Sequence, residues 1–209
     1  MVNPAPAKKL IVQNKTLRVG SWLFPASESQ GFRQDRLLKA VNSVAFRLFS
    51  HETADFNRLI EDSLGILGHS VNAEQVVLWK NYVSNGCLRV SSYARWNNPD
   101  FWNQFSRTME DPLLWDFTIE EILPNWEKIM EEQKPEFIIA KNLHEPFRSI
   151  ALDKGICSIL ITPIFSKGHY WGFISFFNYS EERFYSGKEK ESLRSGGILI
   201  ASAIENNKP

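Results

Sequence analysis

The chain has 209 residues, enough for one well-buried core and short for two, and its 24 Lys and Arg balance 24 Asp and Glu. A formally neutral chain has no global field to hold nucleic acid or an anionic membrane surface, so polyanion partners are not expected. No apolar run approaches the roughly 20 residues needed to span a bilayer. The start, MVNPAPAKK, also lacks the apolar centre of a signal peptide, which predicts a cytoplasmic chain without membrane insertion. Cys87 and Cys157 lie far apart and outside any CxxC, so reduced thiols are expected rather than a disulfide framework or a thiolate zinc site.

Residues 1–30 mix Pro4, Pro6 and Pro25 with the basic pair Lys8-Lys9, and turn and breaker residues dominate them. They read as a linker or extended arm, with Trp22-Leu23-Phe24 as a triplet able to dock on the domain that follows. A first helix is predicted over Gln34 to Phe49, with apolar residues at Leu37, Leu38, Val41, Val44, Ala45, Leu48 and Phe49, a stripe broader than one buried face requires. Thr53 or Asp55 is placed to cap a second helix through Leu59, Ile60, Leu64 and Leu67, ending near Gly68. A strand at 75–79 follows. The turn signal Ser84-Asn85-Gly86 then leads into a partner strand from Cys87 to Trp96, whose alternation puts Leu88, Val90, Ser92 and Ala94 on one face.

From Asn97 to Phe137 the chain is irregular and aromatic, with Phe101, Trp102, Phe105, Trp115, Phe117, Trp126 and Phe137. Ile119 to Gln133 predicts a helix started or interrupted at Pro124. A short strand at Phe137 to Ala140 and a helical turn at Phe147 to Leu152 complete this segment. Ser158 to Phe165 and the aromatic run His169 to Tyr179 then form a hairpin across Ser166-Lys167-Gly168. In a last helix, Leu193, Gly196, Gly197, Ile200 and Ile204 gather on one side.

The sequence ITPIF, a short polar turn, YWGFISFF, an acid-rich loop and a helix start Glu189-x-x-x-Leu193-Arg194-Ser195-Gly196 together resemble the last third of a GAF domain. The likeness is strongest to the GAF domains of bacterial sensor histidine kinases. Arg36 to Asn42 resembles their opening helix, Gln75 to Asn81 their first strand, and Ile122-Leu123-Pro124-Asn125-Trp126 a segment between strands. The resemblance covers residues 31–207, read as one sensory domain behind the 1–30 extension. It implies an α/β (α+β) fold with an antiparallel sheet of about five or six strands, the terminal helices on one face and the crossover segment on the other.

No constellation in the sequence points to catalysis. Ser50-His51-Glu52 matches the core of a kinase phosphoacceptor helix, but it continues as Thr53-Ala54-Asp55-Phe56, and no ATP-binding module accompanies it. A surface histidine at a helix end is the better reading. His69, His144 and His169 have no second ligand at metal spacing, and His144-Glu145 does not complete HExxH. Gly187-Lys188 lacks the earlier glycine of a phosphate loop, and no GxGxxG or GxSxG occurs. Asn14-Lys15-Thr16 and Asn178-Tyr179-Ser180 match the glycosylation pattern by chance in a cytoplasmic chain.

Within the resembled family, methionine-sulfoxide-reducing members use three cysteines, which makes that activity a poor match here. Bilin-binding members attach the chromophore through a cysteine usually followed by histidine, whereas Cys87 precedes Leu88 and Cys157 precedes Ser158. Of the cyclic-nucleotide pattern only Asn178 and Phe184 remain.

The aromatic segment is therefore the expected site. Tyr93, Trp96, Trp115, Trp126 and Arg148 would line a small-molecule pocket if they converge on the sheet, and Arg95 or Arg148 could orient an anionic ligand. The alternative is that these rings simply fill the core. The sequence leaves the ligand or cofactor unknown. The resemblance implies a non-enzymatic sensor with an output domain such as a histidine kinase elsewhere in the full-length protein. A structural dimerisation module without ligand is the competing class.

A parallel homodimer built on the first and last helices, two from each subunit forming a four-helix bundle, is also expected. Leu193, Gly196, Gly197, Leu199, Ile200, Ala201, Ala203 and Ile204 spread over an arc of order 200 degrees, more than one buried face needs. Gly196 and Gly197 imply either a closely approaching backbone or a helix that lies flat on its own sheet, and Ile198 and Leu199 are the expected outward residues.

Overall fold

The computed structural model describes residues 30–50, 55–105, 117–118 and 126–207. The expected linker at 1–29, together with His51, Glu52 and Trp115, lies outside them. The elements run α1 (Gln30–Phe49), α2 (Phe56–Ser70), β1 (Gln75–Ser84), β2 (Cys87–Asn97), α3 (Pro99–Phe105), β3 (Phe117–Thr118), α4 (Trp126–Glu132), β4 (Glu136–Ile139), a 3-10 turn (Ala140–Asn142), α5 (Phe147–Asp153), β5 (Ser158–Ser166), β6 (His169–Asn178) and α6 (Gly187–Asn206). The strands form one six-stranded sheet in the order β3-β2-β1-β6-β5-β4, with every neighbouring pair antiparallel.

Side-chain alternation along the central strands divides the sheet into two buried faces. Val76 and Leu78 of β1, Leu160 and Ile164 of β5, and Ile174 and Phe176 of β6 point to one face. There they meet Leu37, Val44 and Leu48 of α1, Ile60, Leu64 and Leu67 of α2, and Leu193, Ile200 and Ile204 of α6. Val77, Trp79, Ile159, Ile161 and Phe173 point to the other face, beneath α3, α4 and α5. The terminal helices thus share one face and the crossover segment covers the other, as the resemblance implies.

Local chemistry sets the helix ends. Asp55, rather than Thr53, caps α2, its carboxylate accepting the Arg58 N–H at 3.1 Å. Ser186 and Glu189 close a reciprocal capping box at α6, a Ser-x-x-Glu signal in the sequence that the helical periodicity alone did not use. Glu189 also pairs with Arg183 at 2.8 Å, and both side chains are largely buried. The Arg183 guanidinium lies 4.3 Å from the centre of the Tyr185 ring. Burial pushes the Tyr185 phenol up to about 12, against the opposing pull of Arg183.

Strand β2 departs from simple alternation. Its pairing with β1 shifts between Leu78 and Trp79, with Leu78 opposite Ala94 and Trp79 opposite Ser92, so Tyr93 is the extra residue of a bulge. Leu88, Val90 and Ser92 therefore keep one face while Ala94 moves to the other, against the helices. Trp96 follows Ala94 to the helical side. It lies over α2 where Gly65 and Gly68 leave room, and a methyl group on Gly68 would stand 2.4 Å from its ring.

The glycines of α6 serve the chain's own core. A methyl group on Gly196 would meet Leu67 of α2 at 2.7 Å, and one on Gly197 would meet Ile174 and Ile164 of the sheet at 3.2 and 3.3 Å. Ile198 and Leu199, expected to face outward, are half-buried against the same core. The physical reason is that α6 lies between sheet and α1, and so uses two flanks rather than one. On α1 the exposed apolar residues are Phe32 (60%), Leu38 (59%), Phe46 (73%) and Phe49 (81%).

Gly68→Ala is expected to destabilise the domain by about 1–3 kcal/mol, because the new methyl group must displace the Trp96 ring. Urea unfolding checks this, and the loss should shrink when Trp96 is also reduced to leucine. Burial works to raise the Glu189 carboxyl, but bonds from Ser186 and Arg183 together hold it below the ordinary carboxylate value of 4.5. Its stabilisation is complete above 4.5 and is lost as pH falls through the depressed folded value. Acid unfolding of Glu189→Gln should accordingly show a weaker pH dependence below 4.5 than the wild type.

Candidate functional site

The crossover face is the better candidate because short elements, not long helices, cover it, and its sheet surface carries rings beside placed polar groups. On β1 the alternation puts Gln75, Val77 and Trp79 there, and on β6 it puts Phe173, Ser175, Phe177 and then Tyr179 beside them. Trp79 stacks on Phe173 with ring centres 5.7 Å apart, and its Nε1–H donates to Ser175 Oγ at 2.9 Å. Phe101 of α3 stacks on Tyr179 at 5.6 Å, and Trp102 meets the same ring edge-on at 5.8 Å. The Tyr179 hydroxyl donates to Gln75 Oε1 at 2.7 Å, and Gln75 Nε2 donates onward to Asn97 Oδ1 at 2.9 Å. Burial, with Glu74 nearby, holds the Tyr179 phenol above its ordinary value.

Glu74 fastens this end of the sheet. Its carboxylate accepts the backbone N–H of Tyr179, the backbone N–H of Ser180 at 3.0 Å, and the Ser180 hydroxyl. These N–H groups lie just beyond β6, and charge-assisted bonds to backbone donors are the stronger kind. At the opposite end, the Tyr170 ring packs edge-on against Trp126 of α4 at 4.7 Å and against Phe165 at 5.6 Å.

The nominated residues are not brought together. Trp126 is buried on the crossover face. Trp96 is on the helical face, edge-on to His69 at 4.7 Å, because the bulge reverses the parity of β2. Tyr93, the bulge residue, is 37% exposed and lies edge-on to Trp171, which belongs to the helix-side core. Arg148 is exposed on α5 and pairs with Glu145 at 2.6 Å. Arg95 pairs opposite Val77 and so shares the crossover face. Sequence reasoning missed Trp79, Tyr170, Ser175 and Tyr179, although alternation along β6 would have separated Phe173, Ser175 and Phe177 from Ile174 and Phe176.

The hydrogen-bonded polar side chains beside the stacked rings of this face, Gln75, Ser175, Tyr179 and the indole N–H of Trp79, are neutral donors and acceptors, and Arg95 adds a cation to the same face. Among the described residues no group of three His, Cys, Asp or Glu side chains converges as a metal site. Cys157, whose Sγ is 3.0 Å from the Tyr179 carbonyl oxygen, has its thiol raised by burial first and then by Glu74, Glu182 and Glu181. A raised thiol is a poor nucleophile at neutral pH. Cys87 is exposed beside the β1–β2 turn. No described helix is long and apolar enough to cross a membrane.

No protein-family model matches the sequence. Solved structures do match the fold. The phycocyanobilin-bound GAF domain of a cyanobacterial phytochrome superposes with a TM-score of 0.61 over 81% of this chain and 94% of that one, at 14% identity. This is the GAF fold. The chromophore-binding domain of a Stigmatella aurantiaca phytochrome gives a TM-score of 0.62 over 86% of this chain and 63% of its own, again at 14% identity. Among curated proteins, the methanogenesis regulatory histidine kinase FilI of Methanothrix harundinacea (strain 6Ac) is 29% identical over 172 residues. That match takes in 82% of this GAF-fold chain but only 19% of the kinase, so the chain spans about a fifth of its curated relative.

Tyr179→Phe should lower stability by about 1–3 kcal/mol, since the buried Gln75 oxygen loses its donor. Removing Gln75's need for a donor as well, in Gln75→Leu with Tyr179→Phe, should recover part of that loss in the same denaturation experiment.

Proposed function

We propose that this chain is the sensory GAF domain of a signal-transduction protein, non-enzymatic and cytoplasmic, which binds a small molecule on the crossover face. The observation that carries the reading is the aromatic layer of that face, where Trp79, Phe173, Tyr179, Phe101 and Trp102 surround a few fixed polar atoms. Such a mixture of rings and placed polar groups suits ligand recognition. The chromophore-bound domains of the same fold support a ligand in general, and the likeness to a regulatory histidine kinase supports a kinase-type output domain in the full-length protein. Residues 31–207 form the domain and 1–30 its extension.

Of the expected ligand residues, Trp126 is retained in the proposed site, with Trp115 kept on its sequence position alone. Native mass spectrometry of the purified chain should reveal a co-purified small molecule, and its removal should alter tryptophan fluorescence. A chain that carries none and gives no thermal shift across a metabolite screen would favour a ligand-free transmission module. The methionine sulfoxide reductase alternative predicts measurable reduction of free methionine sulfoxide, and none is expected from two cysteines.

The domain acts as a homodimer through α1. Leu38, Asn42, Ala45 and Phe49 recur at i, i+4, i+7 and i+11 along its outer side, the spacing of a two-helix seam. Phe49 and Leu38 are the exposed large residues of that row, and large exposed apolar groups aligned on one helix mark an association surface. Of the two terminal helices expected to form the dimer, α1 is kept and α6, whose apolar residues pack on the chain's own core, is not. Sedimentation over a dilution series should show a dimer for the wild type and a monomer for Leu38→Glu with Phe49→Glu. A wild type that is monomeric throughout would end this part of the reading.

A further inference from the structure

Among the described residues, one buried side-chain donor of the crossover face is unsatisfied. Trp79 Nε1–H reaches Ser175, and the Tyr179 hydroxyl reaches Gln75. The Tyr170 hydroxyl is buried and has no hydrogen-bond partner among the described residues. The residue is well fixed, its backbone carbonyl accepting Asn81 Nδ2–H at 2.6 Å and its ring packed against Trp126 and Phe165. Phenylalanine would make the same ring contacts without the cost of desolvating a hydroxyl. Thr162 and Trp171 also bury unpartnered polar atoms, but Thr162 pairs opposite Ile174 and Trp171 joins the same helix-side core, sealed by the long helices.

We infer that Tyr170 is the hydrogen-bonding anchor of the ligand site, donating its phenolic proton to a neutral, planar molecule that carries an acceptor such as a ring nitrogen or ring carbonyl. The inference rests on the reading of the crossover face as a ligand site and adds the chemical class of the ligand. Burial keeps the phenol well above its ordinary value, so it remains a donor and requires an acceptor. The two rings against it offer flat apolar surface and no countercharge, which selects against a charged group at this position.

Quinoline and naphthalene test this, since they share one shape and only quinoline carries a ring nitrogen. Ligand-observed NMR titrations of the full chain should find quinoline bound about fivefold more tightly than naphthalene, the preference expected from one net hydrogen bond. In Tyr170→Phe the two probes should bind equally, and the unliganded variant should melt at the same temperature as the wild type or higher. Equal binding of the probes by the wild type overturns the inference, as does a quinoline preference that survives in Tyr170→Phe or binding of neither probe. The wild-type comparison stands alone should the variant not fold. A co-purified molecule detected by native mass spectrometry would keep the sensory reading intact even where the anchor fails.

Discussion

The pairing of β1 with β6 is the constraint on which both faces depend. Gln75 opposes Phe177 and Lys80 opposes Gly172 in an unbroken antiparallel register, so consecutive residues of two central strands are committed to opposite cores. A slip of β1 by one residue would carry Val77 and Trp79 under the long helices and Val76 and Leu78 under the crossover segment. Both exchanges are unfavourable, because the helical face accommodates aliphatic side chains between glycines of α6, whereas the crossover face places an indole N–H opposite a serine hydroxyl. Glu74 reinforces the register by tying the start of β1 to the backbone beyond β6.

The two faces are chemically unlike. The helical face is a mainly aliphatic core, with Trp171, Phe176 and Tyr185 among it, closed by α1, α2 and α6, and the glycines at 68, 196 and 197 let those helices lie against the sheet, Trp96 and one another. The crossover face is ring-rich, and its polar atoms are distributed through it, some satisfied within the chain and one, on Tyr170, not. The helical face also buries unpartnered polar atoms, on Thr162 and Trp171, but long helices cover those, whereas the Tyr170 hydroxyl lies under short elements. The difference between the faces is what separates recognition from association in the proposed function.

Much of the fold was legible in the sequence. The hairpin Ser158 to Tyr179, the α2 positions Leu59, Ile60, Leu64 and Leu67, and the arrangement of helices and crossover on opposite faces all follow from local periodicity or from the resemblance. The candidate site was much less so. Tyr93 and Trp96 are aromatic residues of β2 expected to converge on the sheet with the others, and the bulge at Tyr93 sends Trp96 to the helical side with no glycine or proline to announce it. Arg148 was chosen for its charge beside Phe147, yet its charge is answered by Glu145 one helical turn away. The broad apolar arc of α6 was read as surplus, whereas the fold gives it the sheet on one flank and α1 on the other. Periodicity reports how much of a helix is buried, not which neighbour buries it.

The shared strands also set the terms on which one face can influence the other. Trp79 and Leu78 are adjacent residues of β1, one in each core, and Phe173 and Ile174 repeat the relation on β6. A ligand beside the crossover rings therefore lies one sheet thickness from the residues that support α6 and, through it, α1. Proximity by itself transmits nothing, because a ligand shifts an equilibrium only by the difference in its affinity for two arrangements of the domain. Coupling of the usual 1–3 kcal/mol needs two packings of similar energy. Close contacts between α6 glycines and Ile164, Ile174 and Leu67 make the helical face intolerant of graded displacement, so a change in the sheet beneath it favours a discrete shift of the helices over a continuous one.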